Sequence, residues 1–409
     1  MDLFVSAENS QFNNYMAGPQ VIEVVVIDSD IRDTDEAKGE PTVTVNNAKL
    51  RMVQAVDGNW YGFFADRAQA VTADTLQTTD GAGLDFGKIA KNPFDANVIH
   101  MDIGGDEDNF FQFTDGVAYD DDTLNVVRQA KALSTGPNAT STADDGQIGV
   151  AKANWPFIQL YNLTTGGNVE VQYNKGGGGQ TATLTFDTVD DFAGIDLDRT
   201  TYPQGAQVHV TVTDAWLNID PTDEDSWTWD TDGNAYYQIF DKNGATPGVV
   251  SDVLQVDPVT STHSLMQEDA VFILTPDQQG TGAVIALHGN DNSPSHAIAG
   301  LTDLVTLTEL GPKSGVFGSY DESDDSVLRI TDDARRGTSA VVDYNDTPTT
   351  VLVAHDSATI DIQPSNDDWA SGEAIPVVLV DADANKNSRA DEDLTLSSPD
   401  TALIPSLDR

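Results

Sequence analysis

Aspartate dominates the acids of this 409-residue chain, and that imbalance limits what it can fold into more than any other feature. Of 67 acidic residues, 55 are Asp and 12 are Glu. Asp is a poor helix former because its short carboxylate competes for nearby backbone N–H groups, and Glu, the acid helices accept, is scarce. The composition points to strands and turns and away from helical bundles. Against the acids stand 20 Lys and Arg, a formal net charge of −47. Nucleic-acid binding is excluded on that count, since phosphate recognition needs a basic footprint. Anionic lipid is disfavoured for the same reason. A charge this high favours disorder unless enough apolar surface can be buried. Here 39% of residues are hydrophobic, including 6 Trp, 10 Tyr and 15 Phe, which is enough to build cores.

Short alternating apolar runs bounded by Gly, Asp, Asn and Pro recur throughout: Val21–Ile27, Thr42–Val45, Asn168–Tyr173, Thr181–Phe186, Val208–Thr213, Leu304–Thr308, Ser339–Tyr344 and Ile375–Val380. Each reads as a strand closed by turn chemistry. Helical periodicity is confined to Leu124–Ala132. The expected fold class is all-β, with immunoglobulin-like β-sandwich domains in tandem.

The chain repeats itself. Val210-Thr211-Val212-Thr213-Asp214 matches Val377-Val378-Leu379-Val380-Asp381, and a first copy reads Val24-Val25-Val26-Ile27-Asp28. Upstream, Val169–Asn174 matches Ala340–Asn345, and Ile195-Asp196-Leu197 matches Ile360-Asp361-Ile362. The lead aspartates lie 186 and 167 residues apart. This divides the chain into a first unit over 1–193 (with room for two subdomains), a second over 194–358, and the start of a third over 359–409. The last piece is about a third of a unit and buries little alone. Either the natural chain is expected to continue past Arg409, or this stub is expected to pack on the unit before it.

The sharpest local motif follows the third lead aspartate: Asp381-x-Asp383-x-Asn385-x-Asn387, then Asp391-Glu392-Asp393. Oxygen donors at alternate positions of a tight loop, closed by a later carboxylate, suit a hard cation such as calcium. Lys386 stands where an EF-hand needs Gly, and a strand leads in, so the expectation is a strand-end Ca²⁺ loop. The second copy offers Asp214, Asn218, Asp220, Asp223 and Asp225, with Trp216 where Asp383 would fall. The first offers Asp28, Asp30 and Asp33, with Arg32 intruding. The competing reading is a set of solvated Asx turns. Other acidic clusters (Asp106–Asp108, Asp120–Asp122, Asp190-Asp191, Asp321–Asp325) read as solubilising surface that protects sheet edges.

No Cys is present, so disulfides and thiolate metal sites are excluded. The longest apolar stretches fall far short of a membrane span. The start, Met1-Asp2-Leu3-Phe4, lacks the basic region and apolar run of a signal peptide, so an exported form is expected to be mature or a piece. Nucleophile elbow, zincin and Walker signatures are missing, and Lys175–Gln180 reads as a Gly-rich hairpin tip. Paired carboxylates occur by chance among so many acids, so an enzyme is not expected. Asn138, Asn162 and Asn345 each head a glycosylation sequon.

Three passages resemble the tandem repeats of surface-layer (S-layer) proteins of ammonia-oxidising archaea. They are Gly194-Ile195-Asp196-Leu197-Asp198-Arg199-Thr200-Thr201-Tyr202-Pro203, Leu307-Thr308-Glu309-Leu310-Gly311-Pro312-Lys313-Ser314-Gly315-Val316-Phe317, and Ala334-Arg335-Arg336-Gly337-Thr338-Ser339-Ala340. The resemblance covers most of 190–395; residues 1–100 carry the strand-plus-Asp element without the Thr-Glu-x-Gly-Pro phrase. It implies immunoglobulin-like domains in series, self-assembled as a two-dimensional lattice on the cell exterior, with divalent cations in the folds. A perforated sheet of this charge would gather small cations and repel anions. The alternative is a Ca²⁺-dependent adhesin or carbohydrate-binding module, which predicts an exposed aromatic patch such as Trp216, Trp227 and Trp229. A third class, a secreted halophilic hydrolase, needs a deep cleft with converging carboxylates.

Overall fold

The computed structural model describes residues 1–32, 40–70, 88–91, 98–101, 111–114, 156–175, 178–229, 235–238, 253–256, 272–276, 280, 282–287, 305–320, 323–364 and 372–392. The protein is all-β, with its strands in several sheets and only short helical turns among the described residues. The expected strands form with small shifts at their ends, for instance Ile22–Ile27, Val210–Thr213 and Val377–Val380. The expected helix over Leu124–Ala132 lies outside the described residues.

One strand pair is built three times in the same register. Asp2–Val5 runs antiparallel to Ile22–Ile27, with Asp2 opposite Ile27 and Val5 opposite Val24. Gly194–Leu197 pairs with Val210–Thr213, Gly194 opposite Thr213 and Leu197 opposite Val210. Thr359–Ile362 pairs with Val377–Val380, Thr359 opposite Val380 and Ile362 opposite Val377. In each pair the first residue faces the one just before the repeated aspartate. A one-residue slip would turn every apolar side chain to the other face, so the shared register reflects a shared inner face.

The first two copies extend this pair alike. The free edge of Ile22–Ile27 takes Trp60–Asp66, with Trp60 opposite Val26. That of Val210–Thr213 takes Val316–Gly318, with Phe317 opposite Val212. Across the core lies a hairpin: Gly167–Lys175 with Gly178–Phe186, or Ser339–Tyr344 with Thr347–Leu352. Tyr173 pairs with Val43 and Tyr344 with Phe272 on the next strand out. The hairpin tips differ. Asn345 and Asp346 carry φ of 52° and 53°, the left-handed pair of a two-residue turn, whereas Gly176 and Gly177 lie outside the described residues.

Two cores result. The first gathers Val5, Ile22, Val24, Val26, Trp60 and Phe64 from one sheet with Val171, Tyr173, Leu184 and Phe186 from the other. The second joins Val210, Val212 and Phe317 to Val342, Tyr344 and Val351, with Trp216, Trp227 and Trp229 between them. Those three indoles run in a chain, ring centroids 5.6 and 6.4 Å apart, and Trp229 meets Phe272 and Tyr344 at 5.7 and 6.3 Å. Truncating any of them costs about 3–5 kcal/mol. Phe12 and Ala17, from the first copy, also belong to this second core. The joint between the two copies is thus packed apolar contact.

Candidate functional site: the aspartate loops

Each lead aspartate ends a strand and turns the chain with its own side chain. Oδ1 accepts the N–H two residues on: Asp30 to Asp28 at 3.0 Å, Trp216 to Asp214 at 2.8 Å, Asp383 to Asp381 at 3.0 Å. Oδ2 of the first two accepts a tyrosine hydroxyl from the opposite sheet, Tyr173 to Asp28 at 2.9 Å and Tyr344 to Asp214. These are the matched tyrosines of the repeated Val169–Asn174 and Ala340–Asn345 phrases. A buried carboxylate needs such donors to offset desolvation. Burial still pushes Asp214 up to about 6, with the nearby Asp190 charge adding, against the pull of Tyr344 and the Trp216 N–H.

Of the other candidate ligands of the second loop, the aspartates accept N–H groups within it and Asn218 reaches out to Glu309. Asp225 accepts from Ile219 N at 2.5 Å and Asp220 N at 3.1 Å. Asp220 accepts from the Thr222 N–H at 2.8 Å and from the Thr222 hydroxyl, and Asp223 from Glu224 N at 3.0 Å. Asn218 donates to Glu309 Oε1 at 2.9 Å. Glu309 is the residue that sequence reasoning passed over: only 2% exposed, it also accepts the N–H groups of Ser314 and Gly315 at 2.9 and 2.8 Å. It ties the Leu310–Gly315 turn to the aspartate loop. Burial pushes it up to about 8 despite those donors. The signal was the Thr-Glu-x-Gly-Pro phrase itself.

At the third loop the candidate oxygens turn to separate partners. Asp383 takes the Asp356 N–H at 3.1 Å and faces His355 at 3.6 Å. Asn385 offers its carbonyl and Oδ1 to the Arg199 guanidinium, both at 2.7 Å. Asn387 Oδ1 accepts from Arg389 N at 2.9 Å. Glu392 closes the loop on the N–H groups of Lys386 and Asn387, at 2.6 and 2.9 Å, while Asp391 is exposed. The donor set is chemically right for calcium, and several of its oxygens accept from backbone N–H groups or from the Arg199 guanidinium. Among the described residues no three His, Cys, Asp or Glu side chains group for a metal. Arg199 reaches Asn385 from the preceding repeat. Asp30 is exposed at the first loop, and Asp33 and Asp393 lie outside the described residues. So do Asn138 and the clusters Asp106–Asp108 and Asp120–Asp122. Asn162 is exposed, Asn345 sits in its tight turn, and Asp190 and Asp191 lie on an exposed helical turn.

What the loops do bring together is one repeat and the next. Val21 donates its N–H to Ile219 O at 3.1 Å, and Gln207 donates to Lys386 O at 2.7 Å. Both donors lie 7 residues before a lead aspartate, and both acceptors lie 5 after the following one. The turn preceding each donor also repeats, Gln20 N to Ala17 O and Ala206 N to Pro203 O. The same joint is made twice.

Around that shared bond the two joints differ. The first is closed by Lys313, whose ammonium meets the fully buried Glu23 at 2.9 Å and lies 4.2 Å over Phe4. Gly18, at φ +54°, lies where any Cβ would overlap the Trp216 indole, and a Cβ on Gly315 would come within 2.8 Å of Phe12. The second joint is polar. Lys386 Nζ donates to Gln204 O at 2.8 Å, Asn387 to Asp324 O at 2.8 Å, and Arg389 to Asp324 at 2.7 Å while stacking on Tyr320. His209, 2% exposed, lies between Asp198, Ser388 and the Asp324 carbonyl. Burial pushes Asp198 up, but His209, Ser388 and Tyr202 outweigh it and hold it at about 2.

Family models yield no match to the chain, and neither do the curated proteins.

Proposed function

We propose that this chain is a structural subunit of a cell surface: immunoglobulin-like sandwich units in series that self-assemble into an S-layer lattice. The observation that carries this reading is the repeated joint, Val21 to Ile219 and Gln207 to Lys386. A joint made at equivalent positions sets a constant relation between successive units, as in other stacked-repeat proteins whose units contact only their neighbours. The phrases that resemble archaeal S-layer repeats supply residues of those joints, Arg199 and Lys313 among them. A surface of net −47 draws small cations and repels anions. Divalent cations enter this proposal as counter-ions of that surface and as bridges between subunits. No reaction is assigned to the chain.

For the adhesin or carbohydrate-binding alternative, Trp216, Trp227 and Trp229 offer no sugar platform, since they are 2, 1 and 0% exposed. Electron microscopy of the purified protein with calcium tests the proposal: ordered sheets are expected, dispersing in chelator. Particles that stay monomeric at every calcium and protein concentration would refute it.

A further inference from the structure

The third strand pair exposes what the first two bury. Ile360, Ile362, Val377 and Leu379 share one face of the Thr359–Ile362/Val377–Val380 hairpin, and they are 68, 49, 60 and 46% exposed. Their counterparts on the second copy's leading strand, Val210 and Val212, are 0% exposed, as are Val24 and Val26 on the first. Apolar side chains in register on one exposed face mark a docking surface, and the free edge of Val377–Val380 has no partner strand among the described residues.

The chain itself shows twice what covers this element. In both covered copies an antiparallel strand sets an aromatic residue opposite the position two before the aspartate: Trp60 on Val26, Phe317 on Val212. In both, a tyrosine hydroxyl bonds the lead aspartate. In both, an indole N–H reaches the carbonyl three residues past it, Trp60 to Ile31 at 3.2 Å and Trp227 to Leu217 at 2.8 Å. The matching atoms of the third copy are the Leu379 backbone, Asp381 Oδ2 and the Ala384 carbonyl.

We propose that the Val377–Val380 edge is an acceptor site for an extended, aromatic-bearing return strand of this repeat's own class. The strand adds antiparallel with its aromatic ring on Leu379, a mode in which main-chain bonds give affinity and alternate side chains give specificity. This stands on the threefold register and not on the S-layer reading.

A labelled synthetic peptide with the sequence of residues 309–320, which contains Val316-Phe317-Gly318, is the probe. Titrated into the full chain, it is expected to bind saturably at one site and to protect the Val377–Val380 amides from hydrogen exchange. The same peptide with Phe317→Ser, or the chain with Leu379→Asp, should lose at least tenfold in affinity. Asp361→Asn, on the opposite face, should leave binding unchanged. Because the hairpin is exposed, Leu379→Asp should keep the parent's melting temperature, which separates lost binding from lost folding. No binding at millimolar peptide, or binding indifferent to Leu379→Asp, overturns the proposal. So does a dimer of the chain that dissolves on Leu379→Asp, since the face would then belong to a second copy.

Discussion

Glu309 shows how far this protein lets a single carboxyl drift from its ordinary behaviour. Burial holds its proton up to about pH 8 in the fold, whereas the unfolded chain releases it near 4.3. Between those values the folded state binds a proton that the unfolded state does not. Its stabilisation is complete below about pH 4.3 and is lost as pH rises through 8. Asp214, raised to about 6, acts in the same direction over a narrower span. Asp198 acts oppositely, but its contribution fades only as pH falls through about 2. Chemical denaturation between pH 5 and 9 should therefore show stability declining by about 1–3 kcal/mol. Glu309→Gln, which keeps the shape and removes the titration, should flatten most of that slope. An unchanged slope would mean that Glu309 is ionised throughout.

At the scale of elements, the strand–Asp–turn unit has one inner logic and two outer uses. Its aspartate caps the turn in all three copies and takes a cross-sheet tyrosine in the first two, so the unit is a corner before it is anything else. The residues after that corner decide what it meets. In the second copy Trp216 replaces an acidic side chain and packs over Gly18, making an apolar joint. Gly18→Ala adds a methyl group where the indole lies, at a left-handed φ that alanine tolerates poorly. A loss of about 2–4 kcal/mol is expected in urea denaturation, with Trp fluorescence reporting the shifted indole. Gly337, also left-handed at φ +82° but with open space around it, is the control. Gly337→Ala should show the smaller conformational penalty alone, about 1 kcal/mol.

For the whole molecule the contrast between joints matters most. The first shares an apolar core and one ion pair to the buried Glu23, so it should stay rigid in salt. The second rests on Arg199, Lys386 and Arg389, whose largely exposed ion pairs and hydrogen bonds are individually weak and screened by electrolyte. Arg199→Ala combined with Arg389→Ala should change the global unfolding transition by under about 1 kcal/mol. Small-angle scattering should nevertheless show a broader distribution of maximum dimension, and raising salt on the parent should mimic it. An undisturbed scattering curve would place the stiffness of the second joint elsewhere. In the proposed lattice the polar joint is the one able to adjust.

The all-β class, the strand positions and the repeat were legible in the sequence, because alternation and turn residues are local consequences of burial on one face. The joint residues were half legible. The phrases around Arg199, Glu309 and Lys313 stood out in the sequence only through the resemblance they carry, and nothing local says that Lys313 reaches Glu23, 290 positions away. The aspartate loops show the limit most clearly. Ligand spacing fixes which oxygens are near one another along the chain, but not which way each one turns. Asp383 faces His355 and the Asp356 N–H, and Asn385 faces Arg199, because the preceding segments supply donors there. Sequence alone determined that this chain would fold as repeated, turn-bounded sheets. Only the tertiary structure decided that the loops join one repeat to the next, since a carboxylate's orientation follows the donors the fold brings to it.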